Sequence, residues 1–332
     1  MSTIKNHAGP RATAIQSERR AELARLKSEP STPGDSLAPS QDKPDTKTYS
    51  KTTAANRMHK TSAAGWLSLG GMAVGGTLLA KTALAGVLAA SGPVGVAVAG
   101  AAVAGGAVAG YLGADLTSGF IHFGLDNYPK SDTPVLGKLA DNFQYHHHNS
   151  QSVFARSFVD NCGLVGKLTA PVAVGLGLGL GSPVLAAAGL AFTTGLYLLQ
   201  GSHMLAHDTR PSKLAKTLQR FHITQSKKNH AAHHTRPWES NYTVVNGACN
   251  PILEKTHFWR KMERAVYKIS GREPKSWRHE PTRRFALGEI NAEQYKESFK
   301  SGMADFQVKA EDFLKGYLER NPGSSVKDYK DI

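Results

Sequence analysis

Apolar residues are concentrated in two blocks, 64–113 and 162–206, and the remainder of the chain is polar and basic. The first block reads "AAGWLSLGGMAVGGTLLAKTALAGVLAA", nearly continuous and carrying one cation, Lys81, and then "GPVGVAVAGAAVAGGAVAGYLGADLTSGFIHFG". The second reads "CGLVGKLTAPVAVGLGLGLG" and "SPVLAAAGLAFTTGLYLLQGSHMLAH", with Pro183 as a natural break after Gly181 and Ser182. An α-helix needs about 20 apolar residues to cross a hydrocarbon core of about 30 Å. The pattern therefore predicts about four transmembrane helices in two hairpins. Gly and Ala recur at three- and four-residue spacing, which lets membrane helices approach closely. The expected fold is all-α and multi-pass, with a histidine-rich helical cap on the cytoplasmic side.

The polar segments set the expected organisation. Residues 1–60 hold few large apolar groups and many Pro, Ser, Thr and Lys, a composition that predicts a disordered basic tail. No apolar h-region marks a secretory signal there, and Glu18, Glu22, Glu29, Asp35, Asp42 and Asp45 break the acid-poor rule of a transit peptide. A polar loop is expected over 124–161. A membrane domain is expected over 61–285 and a helical C-terminal extension over 286–332. In that extension Asn291 reads as a helix N-cap and Asn321-Pro322-Gly323 as its stop. Phe299, Met303, Phe306, Phe313, Leu314 and Leu318 form its apolar stripe.

Charge changes the picture in one respect. The formal net charge is +14, and such a balance raises nucleic acid as a partner. No compact nucleic-acid motif is present, and the cations flank hydrophobic spans, where Lys and Arg mark the cytoplasmic side and meet anionic headgroups. An even number of spans puts both termini and the basic 208–284 region on that cytoplasmic, or stromal-equivalent, side. Cys162 and Cys249 form neither a CxxC nor a disulfide framework and read as small packing residues in a reduced compartment.

The chemistry lies in the histidines. Of 14, ten fall in four groups: His122; His146, His147 and His148 in "FQYHHHNS"; His203 and His207 in "GSHMLAHD"; His222, His230, His233 and His234 in "FHITQSKKNHAAHH". Residues three and four apart share a helix face, so His203 and His207 aim together, as do His230, His233 and His234. Every group lies at a predicted membrane boundary on one side. A zinc site takes about four ligands; nine or ten imidazoles imply two metals, and imidazole suits iron. Two irons beneath the hydrocarbon suit oxygen-dependent attack on a lipid chain, because removing hydrogen from an unactivated carbon needs an oxidant that side chains cannot supply. The ordinary alternative is a histidine-rich, pH-sensitive face.

These blocks resemble membrane-bound lipid desaturases. The finer match is to the Kua/CarF-type lipid desaturase family, which contains plasmanylethanolamine desaturases and the plant plastid desaturase acting on the palmitoyl chain of phosphatidylglycerol (fatty acid desaturase 4-like). The resemblance covers roughly residues 111–280 and rests on "SGFIHFGLDNY", "TPVLGKLADNFQYHH", "GSHMLAH", "HITQSKKNHAAHH", "NYTVVNGACNPILE" and "FWRKMERAVYKISGREPKSW". It implies metal-ligand roles for His122, His146, His147, His203, His207, His230, His233 and His234, with His222 matching the plasmanylethanolamine branch. Asp126 matches an acidic position that orients an imidazole. His148 has no counterpart in either branch and is an extra ligand or an exposed neighbour. Arg156 and Trp238 replace histidines of the plasmanylethanolamine branch, which favours an acyl chain over an ether lipid.

Glu239 either orients a histidine or caps a turn, and Trp238 and Tyr242 read as interfacial anchors. The implied enzyme uses O2, two irons and electrons from an external ferredoxin or b-type cytochrome, and acts on a phospholipid. A vinyl-ether-forming desaturase and a di-iron lipid hydroxylase share this ligand set. A metal transporter would place ionisable groups within its spans, which hold mainly Gly, Ala, Leu and Val.

Overall fold

The computed structural model describes residues 60–321. The tail expected over 1–60 and the Pro322-Gly323 stop lie essentially outside the described residues. All regular structure among the described residues is helical. Four helices are long and apolar enough to cross a membrane: α1, Ala63–Leu88; α2, Gly92–Asn127; α4, Phe158–Gly179; and α5, Pro183–Ala206. Between the pairs lies α3, Gly137–His148. Short helices follow: α6, Lys213–Arg220; α7, Lys227–His233; α8, Asn250–Lys255; α9, Phe258–Ser270; α10, Glu280–Leu287; α11, Ala292–Ser298; and α12, Met303–Arg320.

Hairpin partners are not the closest neighbours. α1 packs chiefly along α4 and α2 along α5, whereas α1 and α2 touch only slightly. Small residues permit this. A Cβ on Gly110 would sit 2.1 Å from the backbone oxygen of Ala188, and one on Gly75 would sit 2.5 Å from the backbone of Ala173. Leu67, Val74, Leu84, Leu88, Val98 and Leu168 face outward, as side chains solvated by lipid do. Because α2 and α5 run parallel, their C-terminal ends meet at one end of the bundle, and those ends carry His122 and His203.

The polar block is more structured than its composition suggests. The loop expected over 124–161 contains α3, whose last turn is His146-His147-His148. The extension is two helices rather than one. Asn291 caps α11 through a capping box with Gln294, but the chain tightens into a 3-10 turn at Phe299–Gly302 before α12 begins. Gly302 passes so close to Pro281 and His279 that a Cβ there would lie 2.4 Å from the proline ring, and an uninterrupted helix would not clear it. Phe306 and Ala310 of α12 then pack on Trp238, and Tyr317 stacks on Tyr145 at 4.4 Å.

Candidate metal centre

Two groups of metal-ligating side chains converge at the shared end of α2 and α5. One comprises His146, His203, His207, His230 and His234; the other comprises His122, Asp126, His147 and His233. The two adjacent-histidine pairs are divided between them: His146 and His147 go to different groups, and so do His234 and His233. Successive helical side chains diverge by about 100°, so each pair straddles the space between the groups. The groups are neighbours, with ring centroids of His147 and His234 5.4 Å apart and those of His230 and His233 5.7 Å apart.

The nitrogens sit at metal-ligand spacing. Nε2 of His146 is 2.9 Å from that of His203 and 3.0 Å from that of His207, and Nε2 of His207 and His230 are 2.7 Å apart. In the second group Nε2 of His147 and His233 are 2.9 Å apart. Asp126 Oδ2 lies 3.4, 3.6 and 3.7 Å from Nε2 of His122, His147 and His233. Lone pairs held this close repel unless a cation lies among them. Adjacent ligands of an ion bound at about 2.1 Å are separated by roughly 3 Å.

The other ring nitrogen of most of these histidines is anchored to protein. Nδ1 of His122 donates to the carbonyl of Tyr242 at 3.0 Å, that of His233 to the carbonyl of Ser240 at 2.8 Å, and that of His203 to Oε1 of Gln200 at 3.2 Å. Ser152 Oγ meets Nδ1 of His146 and the Gln225 carboxamide meets that of His230, each at 3.3 Å. A donating Nδ1 leaves the lone pair on Nε2, pointing inward, which is the tautomer a metal needs.

Electrostatics keep these rings uncharged, as a metal ligand must be. Burial, reinforced by neighbouring imidazoles, lowers His147, His207, His230 and His234 well below the ordinary histidine value. Burial holds His146 at about 3 and His233 at about 4, so these rings are neutral at physiological pH. Both carboxylate oxygens of Asp126 and both ring nitrogens of His234 are buried without a hydrogen-bond partner. A carboxylate in that condition is costly unless a cation completes it.

The remaining expected site residues fall elsewhere. His222 is exposed, in left-handed backbone after α6, and its carbonyl rather than its ring is used, accepting from Asn246. His148 is buried but faces away from both groups, edge-on to Trp238 and stacked on Phe313. Glu239 does not reach the histidines: its carboxylate accepts from Arg260 at 3.2 Å and from the Tyr295 hydroxyl, beside a cavity of about 220 Å³. The expectation that Trp238 and Tyr242 are interfacial anchors is overturned. Both are buried; Trp238 stacks on His147, and the ring of Tyr242 lies against His122 and His233. Asp126 offers an oxygen to the second group directly, a closer role than orienting an imidazole.

One contributor carries no histidine signature. Asp115, buried in α2, accepts the backbone N–H groups of Asn246 and Gly247 through Oδ1 and that of Cys249 through Oδ2, at 2.9–3.0 Å. Ser118 Oγ accepts that of Val244 at 2.9 Å. These bonds seat the loop that brings the Tyr242 carbonyl to His122. An acid four residues beyond Tyr111, at the close of an otherwise uncharged apolar run, is the visible signal.

Four membrane-length helices carrying two histidine-rich groups of candidate metal ligands at one end define a class of histidine-box membrane proteins. Within it, residues 111–277 match the lipid desaturase domain, and the chain belongs to that family. It is 33% identical over 169 residues to "Fatty acid desaturase 4-like 1, chloroplastic" of Arabidopsis thaliana, covering 50% of this chain and 57% of that protein. It is 32% identical over 170 residues to "Plasmanylethanolamine desaturase" of Myxococcus xanthus, covering 50% and 60%, and 27% identical over 178 residues to "Plasmanylethanolamine desaturase 1" of Mus musculus, covering 50% and 65%. The chain thus spans a little over half to about two thirds of the length of these relatives. No solved structure matches it.

Proposed function

We propose that the chain is an oxygen-dependent di-iron desaturase that places a double bond in a phospholipid acyl chain. The observation that carries this reading is the division of the HH pairs between two adjacent donor groups, an arrangement suited to two metal ions side by side. Two iron ions held there would supply, from O2 and two external electrons, an oxidant able to remove hydrogen from an unactivated carbon. The reaction balances as loss of two hydrogens from a CH2–CH2 unit while O2, two electrons and two protons become two waters.

The chain's own residues do the rest. His146, His203, His207, His230 and His234 hold one ion, and His122, His147, His233 and Asp126 hold the other. The carbonyls of Tyr242 and Ser240 fix ring orientation. Trp238 and Tyr242 exclude water from the second group. Electrons come from a separate ferredoxin or b-type cytochrome, for which the basic flank is a suitable landing surface, and the histidine end faces the cytoplasm or its stromal equivalent. An acyl substrate is favoured over an ether lipid because Arg156 and Trp238 stand where the plasmanylethanolamine branch carries histidines.

The test is lipidomics of a heterologous host expressing the chain with a donor, beside His233→Ala. A new acyl double bond that vanishes in the variant is the expected result. An unchanged lipid profile with confirmed expression overturns the proposal, as does a product that has gained oxygen or a vinyl ether.

A further inference from the structure

The segment between His207 and His230 returns to the site it leaves, since the two Nε2 atoms are 2.7 Å apart. Between them the chain presents three separate faces on α6. Ala215 is buried and Gln219 donates from its Nε2 to the carbonyl of Leu205 at 3.1 Å, so this side faces the protein. Leu214, Leu218 and Phe221 follow one another at i, i+4 and i+7 on a second side, and Leu214 and Phe221 are each 68% exposed. Lys213, Lys216 and Arg220 occupy a third side and are exposed. No acidic residue occurs from 209 to 238.

Two tethers hold this segment against the spans. The Tyr111 hydroxyl donates to the carbonyl of Ile223, and Ile223 is itself exposed. Leu205, whose carbonyl Gln219 reaches, is the twenty-third residue of α5, about 33 Å along the helix at 1.5 Å per residue and so at the end of a hydrocarbon core of about 30 Å, whereas the Tyr111 ring sits beside Gly195, farther into the span. A segment bonded to the end of one span through Leu205 and to the flank of another through Tyr111 lies against the bilayer face rather than out in water. Exposed apolar side chains beside exposed cations are stable there and unfavourable in either water or hydrocarbon.

We infer that residues 210–228 form an interfacial element that inserts Leu214, Phe221 and Ile223 at headgroup depth and recruits anionic phospholipids through Lys213, Lys216 and Arg220. This inference needs the four spans but not the desaturase reading. Its chemistry requires a phosphate-bearing, net-negative surface, since an interfacial cation gains attraction only from lipids that carry excess negative charge.

The test uses the full chain in nanodiscs. In Phe221→Trp, the added fluorescence is expected to be blue-shifted and quenched by lipids brominated near the carbonyl end of the acyl chain; emission at a water-like wavelength without quenching overturns insertion. Separately, spin-labelled phosphatidylglycerol and phosphatidylcholine are compared at the protein boundary. The parent should prefer the anionic lipid several-fold, and Lys213→Gln/Lys216→Gln/Arg220→Gln should abolish that preference. An equal preference in both proteins overturns anionic recruitment. Neither measurement depends on turnover, so failure here is separate from failure of the catalytic proposal.

Discussion

The indole of Trp238 lies nearly parallel to the imidazole of His147, with centroids 5.1 Å apart and planes inclined by 20°. The indole is buried between that ring and Phe306 of α12, so the C-terminal extension and the candidate metal centre share one wall. Trp238→Ala should lower stability by about 3–5 kcal/mol, the range for deleting a buried large aromatic, and Trp238→Phe by markedly less. Thermal unfolding in detergent checks this; equal midpoints for alanine and parent would contradict the packing role.

Asp126 is the one carboxylate among nine candidate donors. Asp126→Asn keeps the shape and removes the charge. Iron per chain is expected to fall from about two towards one, with the five-histidine group still loaded. Metal analysis of the purified variant reads the outcome directly, and undiminished iron would remove Asp126 from the ligand set.

Acid should destabilise the metal-free protein. Burial holds His233 at about 4 and His146 at about 3, whereas imidazole in the unfolded chain titrates near 6.5. Between those values the unfolded chain binds more protons than the folded one. The stability present above pH ~6.5 is therefore lost as pH falls towards 4 and then 3. Unfolding midpoints measured after chelation at pH 7.5, 6 and 5 should decline in that order; a flat profile would contradict it.

Asp115→Ala strands three backbone N–H groups in the interior. At about 1–3 kcal/mol for a buried group left unsatisfied, the 242–249 loop should detach from α2. Faster amide exchange in that loop, together with weaker iron retention, is the expected signature. Exchange unchanged from the parent would show that the loop is held by other contacts.

Much of this architecture is visible in the chain itself. The spans are legible because lipid demands long apolar runs, and the ends of α2 and α5 are legible because His122 and His203 follow those runs. Periodicity groups His203 with His207, which the structure keeps together. It also groups His230, His233 and His234, which the structure divides, because spacing within one helix says nothing of which partner each side chain meets across the bundle. Tyr242 and Ser240 act through carbonyls, which every residue has. Sequence alone leaves the role of Glu239 open because its partner, Arg260, is 21 positions away. The break at Gly302 depends on Pro281, a contact that no local pattern records.

The five-histidine group draws on α3, on the end of α5 and on α7 with its cap. An ion held there works as a topological clasp. It closes a loop of more than fifty residues between His146 and His203 and a shorter one between His207 and His230, much as a cross-link does, by removing open conformations from the unfolded chain. Loading the ion and resisting proteolysis become one event, so the cellular lifetime of this chain should track iron supply even when no substrate is being turned over.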